Sequence, residues 1–187
     1  MDYTDSVKYF FFRLVLFVGT DALGLVLGKV LLWCISNFVP EAAMGLKNFL
    51  VSEATGSAAA ALLMAFLLAL VFHDDAKKHA AYDDMDAVPV AIVLFLLLAF
   101  YFVPTIFYNP NDITKSVSTL YYMFYYPTQW LTELFGAAMK TAAAVGMTII
   151  LAVQMIVYHA TYTAYKKKHP FLFKHDEMNE KEASDMS

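Results

Sequence analysis

Cysteine is almost absent from this chain of 187 residues, in which Cys34 stands alone. A single thiol excludes an internal disulfide and a cysteine-based metal site. Charge is scarce as well, because only 16% of the residues are charged, with 17 acidic against 13 basic side chains. That balance provides no basic surface for nucleic acid, so we expect no nucleic-acid partner.

Patterns of catalytic residues are missing too. The sequence shows no Ser/His/Asp or Cys/His arrangement, no glycine-rich phosphate loop and no paired carboxylates inside an apolar stretch. Segment 73–86 holds two histidines and five aspartates. Their spacing is not specific for a metal, and we predict a solvated loop there with no metal site. We therefore expect no enzyme, no catalytic residue and no cofactor.

Long apolar runs dominate what is present. Hydrophobic residues make up 60% of the chain, and the mean hydropathy is +0.54. These values indicate a small polytopic membrane protein whose main partner is the lipid bilayer. We predict an all-α fold, a single membrane domain over residues 1–187, with four transmembrane helices in two hairpins. The predicted spans are about 9–38, 54–72, 88–107 and 139–158.

Three further segments are predicted outside the hydrocarbon. The mixed sequence of 41–53 and the tyrosine-rich sequence of 115–130 are typical of interfacial helices, and we place both at the outer surface. Residues 174–187 are predicted to be a disordered tail. No strong breaker follows Pro127, so the last helix is predicted to run from there to about Lys168.

Lysine and arginine are distributed unequally between the two sides of the predicted spans. Nine lie on one side: Lys8, Arg13, Lys77, Lys78, Lys166, Lys167, Lys168, Lys174 and Lys181. The other four are Lys29, Lys47, Lys115 and Lys140. By the positive-inside rule, this count predicts a multi-pass protein of the cell membrane with both termini in the cytoplasm.

The other elements are arranged around the first span, 9–38. Its length of roughly 45 Å is enough to cross a bilayer with a tilt. Asp21 lies about 18 Å into it, where a carboxylate costs about 2.5–3.5 kcal/mol. Helical spacing puts four residues on one face: Phe17, Asp21, Gly24 and Gly28. We expect the two glycines to pack against another helix, and Asp21 either to bind substrate or to be paired for packing only.

Three more polar residues are candidates for binding a substrate. Lys29 and Lys140 are predicted near the outer headgroups, where a lysine can meet a phosphate or simply extend to the interface. Gln154 lies deeper in the last span and needs a hydrogen-bond partner. With Asp21, they form the predicted substrate-binding set.

The second and fourth spans end alike. One reads Leu-Val-Phe-His up to His73, and the other reads Ile-Val-Tyr-His up to His159. This similarity between the two span ends indicates two hairpins of the same orientation. It also leaves open a b-type haem between the two histidines, although both are predicted at the water boundary.

The chain resembles the GtrA-like family of small four-helix membrane proteins. The resemblance is carried by the run Leu-Val-Leu-Phe-Val-Gly at 14–19 and by the basic and aromatic hairpin end at 167–173. It implies a role in moving polyprenyl-phosphate-linked sugars across the membrane. The chain departs from the pattern in having His73 and His159 where asparagine is expected, and in its long aromatic segment.

Two functions follow from these features. The first is a transporter or flippase-type component that moves a lipid-linked or small amphiphilic substrate. The second is a non-catalytic accessory or scaffold subunit of a larger membrane complex, for which small-residue faces and a charged tail are equally suited. Either one implies other membrane subunits or self-association as partners.

Overall fold

The computed structural model describes residues 3–38, 50–82, 87–107 and 115–169. These residues form six α-helices and a 3₁₀ turn, and they contain no strand, which confirms the all-α prediction. The helices are α1 (Tyr3–Phe38), α2 (Glu53–Tyr82), α3 (Ala87–Phe107), α4 (Lys115–Phe124), α5 (Gln129–Phe135) and α6 (Met139–Lys168), with the turn at Tyr126–Thr128. Within the described ranges four helices, α1, α2, α3 and α6, are long and apolar enough to cross a membrane, as predicted.

The apolar composition of these helices explains why they form. A backbone in hydrocarbon must satisfy its own N–H and C=O groups, and a helix does so within one segment. Helix α3 carries no charged residue over its 21 positions. Pro104 lies in its last turn, and Thr105 Oγ1 donates to the Phe102 carbonyl at 2.7 Å.

The core lies between α2, α3 and α6, and α1 covers one side of it. Fully buried side chains from each helix meet there, including Met64, Leu97, Tyr101 and Met147, and α1 contributes Phe17. Side chains on the opposite faces are exposed and apolar, as expected where lipid surrounds a bundle.

Helices α1 and α2 approach closely along glycines. A Cβ added to Gly24 would lie 3.1 Å from the Ala60 carbonyl oxygen, and one added to Gly28 would lie 2.6 Å from that of Gly56. The two helices run antiparallel, because Arg13 binds Asp75 near one end of the pair and Lys29 binds Glu53 near the other. We call these the Arg13 end and the Lys29 end of the bundle.

The buried Ser57 hydroxyl fixes α2 to the aromatic segment at the Lys29 end. Its Oγ donates to the Tyr126 carbonyl and accepts from the Trp130 backbone N–H at 2.8 Å. One side chain therefore connects α2 to both the 3₁₀ turn and the first turn of α5.

Segment 73–86 was predicted to be a solvated loop, and that prediction is wrong for its described part. Helix α2 continues beyond Phe72 to Tyr82, and Asp75, Ala76 and Ala80 are buried. The charges did not end the helix because Phe72, Ala76 and Ala80 recur every four residues and keep an apolar strip on one face, and because the buried Asp75 binds Arg13.

The last helix is interrupted, against the prediction that it runs unbroken from Pro127. Helix α5 ends at Phe135, where Gly136 adopts a left-handed φ of 65° and its N–H donates to the Thr132 carbonyl. This is a glycine C-cap, which other residues adopt only with strain. The long α6 then begins at Met139.

The predicted interfacial segments are described in part. Segment 115–130 forms α4, the 3₁₀ turn and the start of α5, and its place at an interface stays a prediction. Segment 41–53 lies outside the described residues except for 50–53, and the predicted tail at 174–187 lies outside them entirely.

Candidate functional site

Asp21 is buried in the middle of α1, with 5% of its surface exposed. Its Oδ1 atom has no hydrogen-bond partner among the described residues. Phe17, one turn before it, is fully buried, and Gly24, one turn after it, touches the α2 backbone. The carboxyl therefore lies within the helix contacts and not on the lipid-facing side of α1.

Two tyrosines, Tyr101 of α3 and Tyr125 just after α4, lie close enough to this carboxyl to interact with it electrostatically. The Phe17 and Tyr101 rings meet edge to face with centroids 6.0 Å apart. Tyr125 donates to the Tyr101 carbonyl at 3.0 Å, and both tyrosines are fully buried. Burial raises the pKa of the Tyr125 hydroxyl, and the neighbouring Tyr121 and the Asp21 carboxylate raise it further.

The tyrosine hydroxyls of this region are already used. Tyr101 shares a hydrogen bond of 3.3 Å with Thr128 Oγ1, which in turn donates to the Tyr125 carbonyl at 3.0 Å. Among the described residues the Asp21 Oδ1 consequently has no hydrogen-bond donor beside these aromatic rings. Such a carboxyl suits a proton or a cationic group, because either would neutralise the buried charge.

Gln154 is buried in α6, but it has a structural partner. Its Nε2 donates to the carbonyls of Ala65, at 3.1 Å, and Ile150, at 3.0 Å, so it ties α6 to α2. Its Oε1 has no partner among the described residues. Gln154 and Asp21 form no hydrogen bond with each other in the described chain.

Lys29 is bound to a carboxylate and is not a free cation for a substrate phosphate. Its Nζ binds both Glu53 oxygens at 2.8 and 2.7 Å, and it lies 4.7 Å from the centre of the Tyr126 ring. Tyr122 donates to Glu53 at 3.0 Å. Burial raises the pKa of Tyr122, and its hydrogen bond to the Glu53 carboxylate adds to the effect. The Lys29 charge is thus largely compensated by a carboxylate.

Lys140 lies apart from the other candidates. It is exposed in the first turn of α6 and takes no part in the Lys29 and Glu53 pair. The hydrogen bonds and ion pairs of the described residues thus join none of the four predicted substrate-binding residues to another, and a shared site stays a prediction. Asp21 and Gln154 each have one buried oxygen without a partner among the described residues, but Gln154 is held by the two hydrogen bonds of its Nε2, and Asp21 is the one of the two that can carry a charge.

A second polar cluster, at the Arg13 end, was not predicted. Arg13 and Asp75 are both buried and bind through two hydrogen bonds, one of them from Nε at 2.7 Å. Tyr9 donates to the same carboxylate at 2.8 Å. The cluster continues through the Tyr9 ring to His79, which shares a hydrogen bond of 2.9 Å with Tyr158.

The sequence carried a signal for this cluster. Arg13 lies inside an apolar stretch, where a guanidinium requires a carboxylate partner. Its charge also counts toward the orientation of the spans. Its partner, Asp75, lies 62 residues away in the segment predicted to be a solvated loop, so the pair was missed.

Comparison of the chain with protein-family models, with curated proteins and with solved structures finds no match.

Proposed function

We propose that the protein is a transporter or flippase-type component that moves a small amphiphilic or lipid-linked substrate, with Asp21 as the group that binds a proton or the substrate. One observation carries the proposal: a carboxyl buried between helices whose Oδ1 has no partner in the described chain. A carboxylate at membrane depth is costly, and a purely structural one is expected to have a donor.

The surroundings of Asp21 favour a small amphiphilic substrate over a lipid-linked phosphate. Buried aromatic rings beside a carboxylate match an amphiphile with a cationic group, since rings attract cations and bury apolar surface. A lipid-linked phosphate, as a GtrA-like role implies, would need an unpaired cation instead. Because Lys29 is paired with Glu53, a lipid-linked phosphate has less support as the substrate than a cationic amphiphile.

The topology that we propose for this role has two hairpins of the same orientation and both termini in the cytoplasm. The antiparallel pairing of α1 and α2 supports the first hairpin. The excess of basic residues at the Arg13 end supports the orientation. Labelling of single cysteines at positions 77 and 167 tests it, because both should react from the cytoplasmic side.

Reconstitution into vesicles tests the function with two probes: ethidium as a small amphiphilic cation, and a phospholipid with a fluorescent headgroup for flipping. The native protein should accelerate the movement of at least one probe. Asp21→Asn should abolish that movement, since the amide keeps the shape of the side chain but cannot take up a proton or hold a cation.

Asp74→Asn is the matched control, because Asp74 is an exposed carboxylate paired with Lys78. It should leave probe movement unchanged. A native protein that moves neither probe, or an Asp21→Asn variant with full activity, would overturn the transport proposal.

The closed packing around Asp21 favours a second function, an accessory or scaffold subunit. Gly24 and Gly28 leave no space between α1 and α2, so the carboxyl lacks an open path to water along that contact. A subunit with no substrate path would copurify with a partner after mild solubilisation, and Asp21→Asn would leave that complex intact.

A further inference from the structure

A groove of about 550 Å³ lies at the Arg13 end, between the last turns of α2 and α6. Its volume is in the range of ligand pockets. Its walls are short side chains and potential hydrogen-bond donors, and none of the described residues that line it is acidic. The lining residues are His73, Lys77, Ala160, Thr161, Ala164, Tyr165, Lys168 and His169.

The two lysines of this groove, Lys77 and Lys168, lack the carboxylate partners that neighbouring basic residues have within the described ranges. Lys78 pairs with Asp74 at 2.6 Å, and Arg13 pairs with Asp75. Lys77 and Lys168 take part in no ion pair within the described ranges. The groove thus holds two lysines from different helices that form no ion pair with the part of the chain that the structure describes.

The depth of the groove matches a lipid headgroup. His73 is the first residue after the apolar run 57–72 of α2, and Lys168 is the last residue of α6. Groups at such helix ends lie where a span leaves the hydrocarbon. The acyl chains of a lipid would lie along the exposed apolar faces of the helices while its headgroup entered the groove.

We propose that this groove binds the phosphate of an anionic phospholipid headgroup. Lys77 and Lys168 supply the charge, and the hydroxyls of Thr161 and Tyr165 supply hydrogen bonds to phosphate oxygens. Basic pockets between membrane helices are suited to such headgroups. The site is separate from Asp21 and does not depend on the proposed transport function.

The alternative is general attraction between a basic protein end and an anionic membrane, which would not depend on the groove. A matched pair of variants separates the two explanations. Lys77→Gln/Lys168→Gln removes two charges from the groove. Lys78→Gln/Lys167→Gln removes two charges from adjacent positions that do not line it.

The experiment titrates the full-length protein in neutral detergent with short-chain phosphatidylglycerol and counts bound lipid by native mass spectrometry. Short-chain phosphatidylcholine and inorganic phosphate are titrated in parallel. We expect saturable binding of phosphatidylglycerol, at least about tenfold tighter than binding of phosphatidylcholine, which carries no net charge.

The groove variant should weaken phosphatidylglycerol binding by about tenfold or more, and the control variant by less than about threefold. A circular-dichroism melt in the same detergent should show that both variants remain folded. Equal losses in the two variants would overturn the site in favour of general attraction. Inorganic phosphate that binds as tightly as the lipid would overturn the lipid assignment in favour of a soluble anion.

Discussion

Two aspartates of this chain are buried to the same extent and differ in their partners. Asp75 has 4% of its surface exposed and Asp21 has 5%. Asp75 accepts hydrogen bonds from Arg13 and Tyr9. Asp21 has an oxygen with no partner in the described chain. Burial alone therefore does not indicate what a membrane carboxylate does.

The difference separates a carboxylate that stabilises the fold, Asp75, from one whose burial costs stability, Asp21. A buried carboxylate with a guanidinium partner is structural, since removal of either member leaves an uncompensated charge. A carboxylate with no partner contributes no such contact, and its presence costs stability. The same substitution at the two positions should therefore have opposite effects.

The largest effect is expected from Asp75→Leu. Arg13 would remain buried without its carboxylate, and the free energy of unfolding should fall by about 3–5 kcal/mol. Denaturation in mixed micelles, followed by circular dichroism, measures the change. Asp74→Leu, one residue earlier on an exposed part of the helix, should leave stability unchanged. Equal stability of the two variants would contradict a structural role for Asp75.

Asp21→Leu should act in the opposite direction. Because the described residues give the Asp21 Oδ1 no donor, removal of the carboxyl should raise the free energy of unfolding by about 1–3 kcal/mol, within the cost of a carboxylate at membrane depth. The same denaturation assay applies. A loss of stability would mean that Asp21 has a structural partner after all, and the contrast with Asp75 would disappear.

Gly28→Ala tests whether close packing encloses the Asp21 face. The added Cβ would lie 2.6 Å from the Gly56 carbonyl oxygen, so α1 and α2 must separate. We expect a loss of about 1–3 kcal/mol in unfolding free energy. Gly19→Ala is the control on the same helix, since a Cβ there meets no atom within 4 Å. Similar stabilities of the two variants would show that the contact between α1 and α2 can accommodate an added methyl group.

The smallest effect is expected at the exposed pair of the Lys29 end. Lys29→Gln should cost less than about 1 kcal/mol, because both partners are roughly two-fifths exposed and water screens their attraction. The cost should shrink further as salt is added. If Lys29→Gln lowered the free energy of unfolding as much as Asp75→Leu does, and independently of salt, the Lys29–Glu53 pair would be as structural as the Arg13–Asp75 pair.

The periodicity of the first span was sufficient to predict much of its orientation. Helical spacing placed Phe17, Asp21, Gly24 and Gly28 on one face, and all four are buried in the structure. This worked because the pattern is local and every member lies within three turns. The number of long apolar helices was predictable for the same reason, since each is read within one segment.

Contacts between distant segments could not be predicted in that way. The partner of Arg13 is separated from it by 62 residues, and charge density alone suggested that it lay in water. The pairing of Lys29 with Glu53 was missed because Glu53 ended a segment assigned to the interface. The break at Gly136 depends on one left-handed residue, which a glycine permits but does not require.

The Ser57 hydroxyl has a consequence for how the bundle can move. It is hydrogen-bonded to the Tyr126 carbonyl and the Trp130 N–H, so a slide of α2 along its axis would break both bonds at once. In a dry interior those groups would find no replacement partners. Helix α2 and the turn around Tyr126 are thus expected to shift as one rigid body. Any rearrangement that opens the Asp21 face must then come from α1 or α3 moving against that body.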